Sequence, residues 1–492
     1  ERAAAGRAVG RLLPAGRPAA PAGGWGCAGA VPARRSLEPM SLRFVIIGGG
    51  PAGTQAATSA ARLGAEVTLI ERDIVGGAAH LWDCVPSKAM IATGGRLDAV
   101  QEARGMGLDV PEAHVDLERV RERIAGITSV LEAQNRRLLD SQGVRIVRGT
   151  GRLVDAHTVV AATDEGDLSF EADAIMVSTG SRPRVPDWAE PDGDIVLTTR
   201  DAYPPKVLPE HLVVIGSGVT GVEFVHMFSS FGSKVTLIVS RQQVLPAKDP
   251  EVAAVLEDDF LGRGVRLYKG ARAVGLERTE SGVLVRCDDG RVAEGSHCLL
   301  AIGSIPNSEG IGLAEAGVEM DGPWVRDLDH HLRTNIGHIY VAGDVSGKLP
   351  LSSVASMQGR KIAEHVMGLH KVDHRHLDYE KAASAIFTDP EIADVGLGEA
   401  DAFAEGRKVR VTKVPFASTA RALINDDPRG FVKIISDPAT GVILGGSIVG
   451  PQAAELIAVL AVAVTNGLRV NDIAESIFVH PALAEALTDA AE

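Results

Sequence analysis

The apolar residues of the chain come in short blocks whose spacing predicts alternating strands and helices. Ser41 to Ile47 closes on a continuous β-branched run and reads as a buried strand. An Ala-rich helical stretch follows to Leu63, and Glu66-Val67-Thr68-Leu69-Ile70 reads as a second strand ending on Glu71. The same succession returns far along the chain: a strand at Leu212–Ile215, a helix through Phe231 and a strand at Lys234–Val239. Strand, helix, strand is the βαβ unit of a parallel sheet, and two such units so far apart predict two separate domains. Near the C-terminus, Ala453–Val464 is apolar on nearly every face, which predicts burial in a core or against a second subunit. The longest smooth apolar stretch, Leu456 to Leu468, is bounded by Glu455 and Arg469 and is shorter than the ~20 residues a bilayer requires.

Residues 1–39 are a different material. They are mostly Ala, Gly and Pro with six Arg and two Glu, and no periodic apolar face, so a disordered leader is expected. An Arg-rich, acid-poor start fits a transit peptide, but Ser36 is its lone serine. With Met40 directly before the first strand, the segment reads better as an extension with no part in the chemistry.

A length of 492 residues allows about three domains. At 45% hydrophobic and 23% charged, wholesale disorder is excluded. With 50 basic residues against 64 acidic ones, the net charge of −14 opposes nucleic acid and anionic membrane as partners. The four cysteines, Cys27, Cys84, Cys287 and Cys298, include no closely spaced pair. Neither a metal site nor a disulfide framework is expected, and a reducing, cytoplasmic setting fits.

The candidate chemistry begins in the turns between strand and helix. Gly48-Gly49-Gly50-Pro51-Ala52-Gly53 has G-x-G-x-x-G spacing. Gly48 permits a tight turn, Gly50 lets the backbone reach a pyrophosphate, and Gly53 lets helix and strand pack closely; Glu71 can accept from ribose hydroxyls. Gly216-Ser217-Gly218-Val219-Thr220-Gly221 repeats the pattern through Gly216, Gly218 and Gly221. There the acid is missing, and the strand runs into Val239-Ser240-Arg241. Arg241 could accommodate a 2′-phosphate, which leans towards NADPH or dual use, or it could be a solvated loop residue; the two readings weigh equally. Two dinucleotide units in one chain suggest a flavin, FAD, together with NAD(P)H.

After Glu71 the chain reads Gly76-Gly77-Ala78-Ala79-His80-Leu81-Trp82-Asp83-Cys84-Val85-Pro86-Ser87-Lys88. This resembles the redox-active stretch of the pyridine nucleotide-disulfide oxidoreductases, the family of lipoamide dehydrogenase and glutathione reductase. Ala79 stands where the first cysteine of that motif would be, Cys84 matches the second, and Lys88 matches the lysine beside the flavin N5. Three further segments resemble the family's: Ser178–Pro183, Ile339–Asp344 and Phe387–Ala393. Ala301–Asn307 matches another motif, with Ser304 where Arg is usual. The resemblance covers Leu42 to the C-terminus. It implies an α/β fold with two Rossmann-like dinucleotide-binding domains and a C-terminal α+β dimerisation domain. The expected division is a leader at 1–39, an FAD-binding domain at 40–186, an NAD(P)-binding domain at 187–318, a return to the central domain at 319–375 and a dimerisation domain at 376–492. It also implies a homodimer.

By the same resemblance Gly76, Gly77, Gly151, Thr179, Gly180, Gly303, Asp344 and Ser352 are cofactor-binding candidates. Glu223 matches the acid that pairs with the lysine at the Lys88 position; on spacing alone it could be a first-turn acid favoured by the helix dipole. Val479–Glu485 resembles the segment in which a histidine, here His480, is an acid/base oriented by a glutamate, here Glu485, and supplied by the partner subunit. The bland reading makes His480 an N-cap, with Pro481 at the first helical position.

A dithiol cycle needs one sulfur to exchange and another to resolve. With Ala79 in the motif nothing there resolves Cys84, while Cys287 and Cys298 read as buried small hydrophobes. Gly76–Lys88 resembles this stretch in some members of the family that lack the cysteine pair and act as NAD(P)H:quinone reductases. The resemblance therefore implies an FAD-dependent NAD(P)H dehydrogenase with a quinone-type acceptor. Two alternatives stay open: a lipoamide dehydrogenase-like or other thiol enzyme using Cys84 alone, and a flavin-bearing sensor with vestigial catalysis.

Overall fold

The computed structural model describes residues 41–369 and 375–492, so the leader and its Cys27 lie outside the described residues. The first sheet starts with β1 (Arg43–Ile47), α1 (Pro51–Arg62) and β2 (Glu66–Glu71). Phe44 and Ile46 are buried in the core on one face of β1 and Val45 and Ile47 in the core on the other, as a strand covered on both faces requires. Pro51 opens α1, where its missing N–H costs nothing. Next come α2 (Val85–Glu102), α3 (Leu117–Ser141) and β3 (Arg145–Arg148). Asp116 caps α3 by accepting from the N–H groups of Glu118 and Arg119. An antiparallel ribbon, β4 (Thr150–Leu153), β5 (Thr158–Thr163) and β6 (Gly166–Glu171), precedes β7 (Ala174–Val177), which returns parallel to β1. The short β8 (Ser181–Pro183) then leaves the sheet.

The second sheet is built from β9 (Val196–Thr198), β10 (His211–Ile215), α4 (Val219–Ser230), β11 (Lys234–Val239), α5 (Pro250–Gly262) and β12 (Arg266–Lys269). A second ribbon, β13 (Ala273–Thr279), β14 (Gly282–Cys287) and β15 (Val292–Gly295), leads to β16 (His297–Leu300). The order is β12-β11-β10-β16-β9, all parallel. Both expected βαβ units are present.

The chain returns along β17 (Ser304–Pro306), which pairs antiparallel with β8. Ile311, Leu313, Ala316 and Val318 already lie in the core of the first sheet with Val45 and Ile47, and Leu153 donates its N–H to the Ile311 carbonyl. The chain is thus back on the first sheet by Ile311. The last ladder bond of the second sheet runs from the Ala301 N–H to the Ile215 carbonyl, and the outgoing strand β8 offers its edge to the returning one. A small hairpin, β18 (Met320–Asp321) and β19 (Trp324–Val325), precedes β20 (Ile339–Val341), which completes the order β20-β7-β1-β2-β3; α6 (Ser352–Val366) follows.

The last unit holds β21 (Ser384–Ile386), β22 (Glu391–Gly396), α7 (Glu399–Ala404), β23 (Arg410–Pro415), α8 (Ala420–Ile424), β24 (Phe431–Ser436) and β25 (Ile443–Gly450), then α9 (Ala453–Asn466), α10 (Val470–Ala474) and α11 (Glu485–Ala491). Its antiparallel sheet runs β21-β22-β25-β24-β23. Helix α9 buries Ala453, Ile457, Leu460, Ala463 and Val464 in that unit's core and leaves Val462 exposed. The N-cap reading of His480 is not met, because α11 starts at Glu485 with Ala484 as its N-cap, and three residues separate it from Pro481. The Glu485 carboxylate accepts from the Ala482 N–H ahead of the helix, and that closes the segment as a turn. Among the described residues no helix is long and apolar enough to cross a membrane.

Candidate active site

The two glycine loops are built alike. A Cβ on Gly48, at φ +104°, would lie 2.4 Å from the Ser178 carbonyl oxygen, and one on Gly53 would lie 1.9 Å from the Gly48 oxygen. The matching distances are 2.3 Å from Gly216 to the Ala301 oxygen and 1.9 Å from Gly221 to the Gly216 oxygen. No side chain fits at these four positions, so each helix seats on its strand loop more closely than alanine permits. Gly50 and Gly218 differ: nothing lies within 4 Å of where their Cβ would be. Each is the extended N-cap of its helix, so an open cradle faces free backbone N–H groups and the positive end of a helix dipole.

Around the first cradle, Gly77 abuts Gly50, and the His80 ring covers Gly76. Glu71 ends β2 almost buried; its Oε2 accepts from the Gly49 N–H at 2.6 Å and its Oε1 from the Asp73 N–H at 2.6 Å. Burial raises its pKa, against the pull of those two donors. Thr179 Oγ1 donates to the Asn307 carbonyl at 2.6 Å, and the Gly180 carbonyl, in a left-handed turn, accepts from the Asn307 N–H. These bonds lock the β8–β17 crossing, where Gly303 also has positive φ. Ser181 Oγ donates to Asp344 Oδ2 at 2.8 Å. Gly151 packs against Ile47 and Ile70, where a Cβ would come within 2.9 Å, and Ser352 is exposed at the first position of α6. The open cradle, the carboxylate at the end of β2 and the Asp344 carboxylate after β20, held by the Ser181 hydroxyl of β8, form a set of polar groups that fits FAD. The second cradle fits a pyridine nucleotide. Arg241, past the end of β11, is exposed and its side chain has no partner among the described residues.

Between the cradles lies the segment expected to carry redox chemistry. Ala79–Asp83 forms a π-helical turn, and Cys84, free and half-buried, caps α2. Lys88, in the first turn of α2, places Nζ 3.1 and 3.0 Å from the Glu223 carboxylate oxygens. Glu223 lies near the start of α4 and is only 4% exposed. It also accepts from the Phe387 N–H at 3.1 Å and from Ser87 Oγ at 3.4 Å, and Lys88 sits 5.0 Å from the Phe387 ring centre. One carboxylate therefore joins α2, α4 and the chain after β21.

Several neighbours were not anticipated. Tyr203 stacks on Phe224 at 4.8 Å; burial, and then the Glu223 charge, keep its hydroxyl protonated far above the ordinary range. Burial also raises the pKa of Asp83, opposed by Arg200 at 3.6 Å and reinforced by Asp344. The Arg200 guanidinium lies 4.5 Å from the Trp82 ring centre. Trp82, Asp83 and Ser87 lie inside the Gly76–Lys88 stretch, whereas nothing in the sequence marked Tyr203 or Arg200.

Cys287 and Cys298 are buried in the apolar core of the second sheet, as anticipated, and burial pushes both thiols up. At the other end of the chain, His480 Nδ1 lies 2.6 Å from Glu485 Oε1, which fixes Nδ1 as the donor because the carboxylate can only accept. The Ala482 N–H, followed by His480, lowers the Glu485 pKa. His480 is 73% exposed at its side chain, beside Ile477 and Val479, whose apolar side chains also face outward.

Comparison with known proteins adds three observations. The sequence matches the family model described as pyridine nucleotide-disulphide oxidoreductase over residues 42–359, and that family's dimerisation domain over residues 382–491. The NAD(P)H dehydrogenase (quinone) of Mycobacterium tuberculosis is 42% identical over 464 residues, covering 92% of this chain and 94% of that protein, and a dihydrolipoyl dehydrogenase of Haloferax volcanii is 35% identical over 458 residues, covering 91% and 95%. The crystal structure of LpdA from Mycobacterium tuberculosis matches with a TM-score of 0.86 at 41% identity, covering 92% of this chain and 99% of that one.

Proposed function

We propose, from the premise that the chain belongs to the pyridine nucleotide-disulphide oxidoreductases, a family of FAD- and NAD(P)H-dependent flavoenzymes, that it carries electrons from NAD(P)H through FAD to a quinone-type acceptor. The carrying observation is an asymmetry within one segment. The Lys88–Glu223 pair, its carboxylate buried, is fully assembled, while Ala79 leaves Cys84 without a second sulfur. Among the described residues the other thiols, Cys287 and Cys298, are locked in an apolar core. A similar protein, that of Mycobacterium tuberculosis, carries the name NAD(P)H dehydrogenase (quinone).

Bound FAD supplies the chemistry of accepting a hydride and releasing its electrons to another acceptor. The loop of Gly48, Gly50 and Gly53 holds the pyrophosphate, Glu71 the ribose hydroxyls, and Asp344, oriented by Ser181, the ribityl chain. The loop of Gly216, Gly218 and Gly221 holds the nicotinamide nucleotide, and Arg241 meets a 2′-phosphate, so NADPH serves as well as NADH. Lys88 supplies positive charge that favours an electron-rich reduced ring, and Glu223 offsets the desolvation of that ammonium and fixes its position. Across a homodimer, His480 donates a proton from Nε2 while Glu485 orients the ring through Nδ1. The FAD-binding unit comprises the chain up to β8 together with the segment that returns after β17. A cytoplasmic location fits the sparse cysteines.

Anaerobic titration of the FAD-loaded protein with a chemical reductant tests the reading. One electron pair taken up per FAD is the expected result. Uptake of a second pair would reveal a redox-active disulfide and overturn it in favour of a thiol enzyme.

A further inference from the structure

Away from both cradles, three imidazoles converge. The turn after β19 carries His330 and His331, and the chain leading to β21 carries His376. Their ring nitrogens all lie within 4.8 Å of one another. The His330 ring centre is 4.1 Å from that of His331 and 4.5 Å from that of His376. The turn is fixed independently of the rings. Asp329 Oδ1 accepts from the N–H groups of His331 and Arg333 at 2.8 and 2.9 Å, and its Oδ2 pairs with Arg333 Nε at 2.8 Å. Behind His331 lies His365 of α6, 4.0 Å away between ring centres and hydrogen-bonded through Nδ1 to the Tyr340 hydroxyl at 2.8 Å.

We propose that His330, His331 and His376 form a divalent transition-metal site, with Zn2+ as the fitting ion. Three imidazole nitrogens and no carboxylate form a donor set that suits zinc, copper or nickel and excludes magnesium and calcium, which take oxygen ligands. Two of the three histidines are exposed, so a water can complete a tetrahedron and small rotations can draw the nitrogens onto bonds of ~2.0–2.1 Å. A bound ion would clasp the turn before β20 to the chain that enters the C-terminal sheet. The other convergence of ligating groups, Asp249, Glu251 and Glu399, is already filled by the Lys433 ammonium, at 2.8 Å from Asp249 and 2.7 Å from Glu399.

The test is competition of the FAD-loaded protein with a chromophoric chelator for Zn2+, repeated on His330→Gln and His376→Gln. Both positions are exposed, and the yellow colour of each variant reports its fold. One Zn2+ per chain is expected, with about a tenfold or larger loss of affinity in each variant. The unfolding temperature should rise with Zn2+ in the parent and stay flat in both variants. Failure to hold Zn2+ at micromolar concentrations, or a smaller loss in either variant, would overturn the site.

Discussion

Replacing Glu223 by glutamine removes one charge and almost no volume, so the result depends on electrostatics and hydrogen bonding. At 3.0 Å the Lys88–Glu223 attraction is about 5–6 kcal/mol for an effective dielectric near 20. The Lys88 side chain is 31% exposed, which screens that attraction, and the desolvation of Glu223 offsets more of it. The glutamine oxygen could still accept from the Phe387 N–H, but its amide group would turn donors towards Lys88 Nζ and Ser87 Oγ. A charge-assisted bond is worth about 1.5–3 kcal/mol, so a net loss of about 2–3 kcal/mol in positioning Lys88 is expected. If that positioning acts in the transition state, kcat for NADPH-driven quinone reduction should fall about 30- to 150-fold. Lys88→Met should cost a similar amount. The double variant should be no worse than either single one, because the second substitution removes a partner already lost. Steady-state kinetics on variants of matched FAD content and unfolding temperature would measure this. A Glu223→Gln enzyme within threefold of the parent, or losses that multiply in the double variant, would refute the reasoning.

Three further outcomes follow from the geometry. Gly53→Ala puts a Cβ 1.9 Å from the Gly48 oxygen, so α1 must shift from its loop and FAD retention should fall about tenfold or more; parent-like retention in equilibrium dialysis would contradict the close seating. His226 is held neutral, first by burial and then by Arg263, with its pKa lowered from 6.5 to about 3. The unfolded chain therefore binds a proton below pH 6.5 that the folded chain refuses until pH falls to about 3. Stability is full above that window and falls by up to ~1.4 kcal/mol per pH unit as the pH is lowered through it. His226→Asn should flatten the dependence of unfolding temperature on pH between 6 and 4, and an unchanged slope would exclude His226 as its source. Arg241→Ala should raise KM for NADPH about tenfold and leave that for NADH near the parent's; equal effects on both coenzymes would make Arg241 a solvated loop residue.

Both dinucleotide units were legible because sterics dictate their glycines. Only glycine survives 1.9 Å from a carbonyl oxygen, so the spacing is written directly into the sequence. The strands were legible too: β11 has the expected limits, and β10 begins one residue earlier than expected. The pairing of Lys88 with Glu223 spans 135 positions and was visible only through resemblance. The Phe387 N–H that completes it comes from a backbone group in another unit, which no residue type could announce. At the β8–β17 crossing, strand pairing and not composition decides where the chain changes sheets. The histidine cluster was not legible because His376 stands more than forty positions from the adjacent His330 and His331, and only the fold joins them.

The central claim is that electrons leave this enzyme for a quinone and not for a disulfide. Oxidation of NADH and NADPH by the FAD-loaded protein, with a soluble quinone and lipoamide compared side by side, tests it most directly. Fast turnover with the quinone and none with lipoamide is the predicted result. Fast lipoamide turnover would contradict the account, because Cys84 would then have a sulfur partner that Ala79 cannot provide.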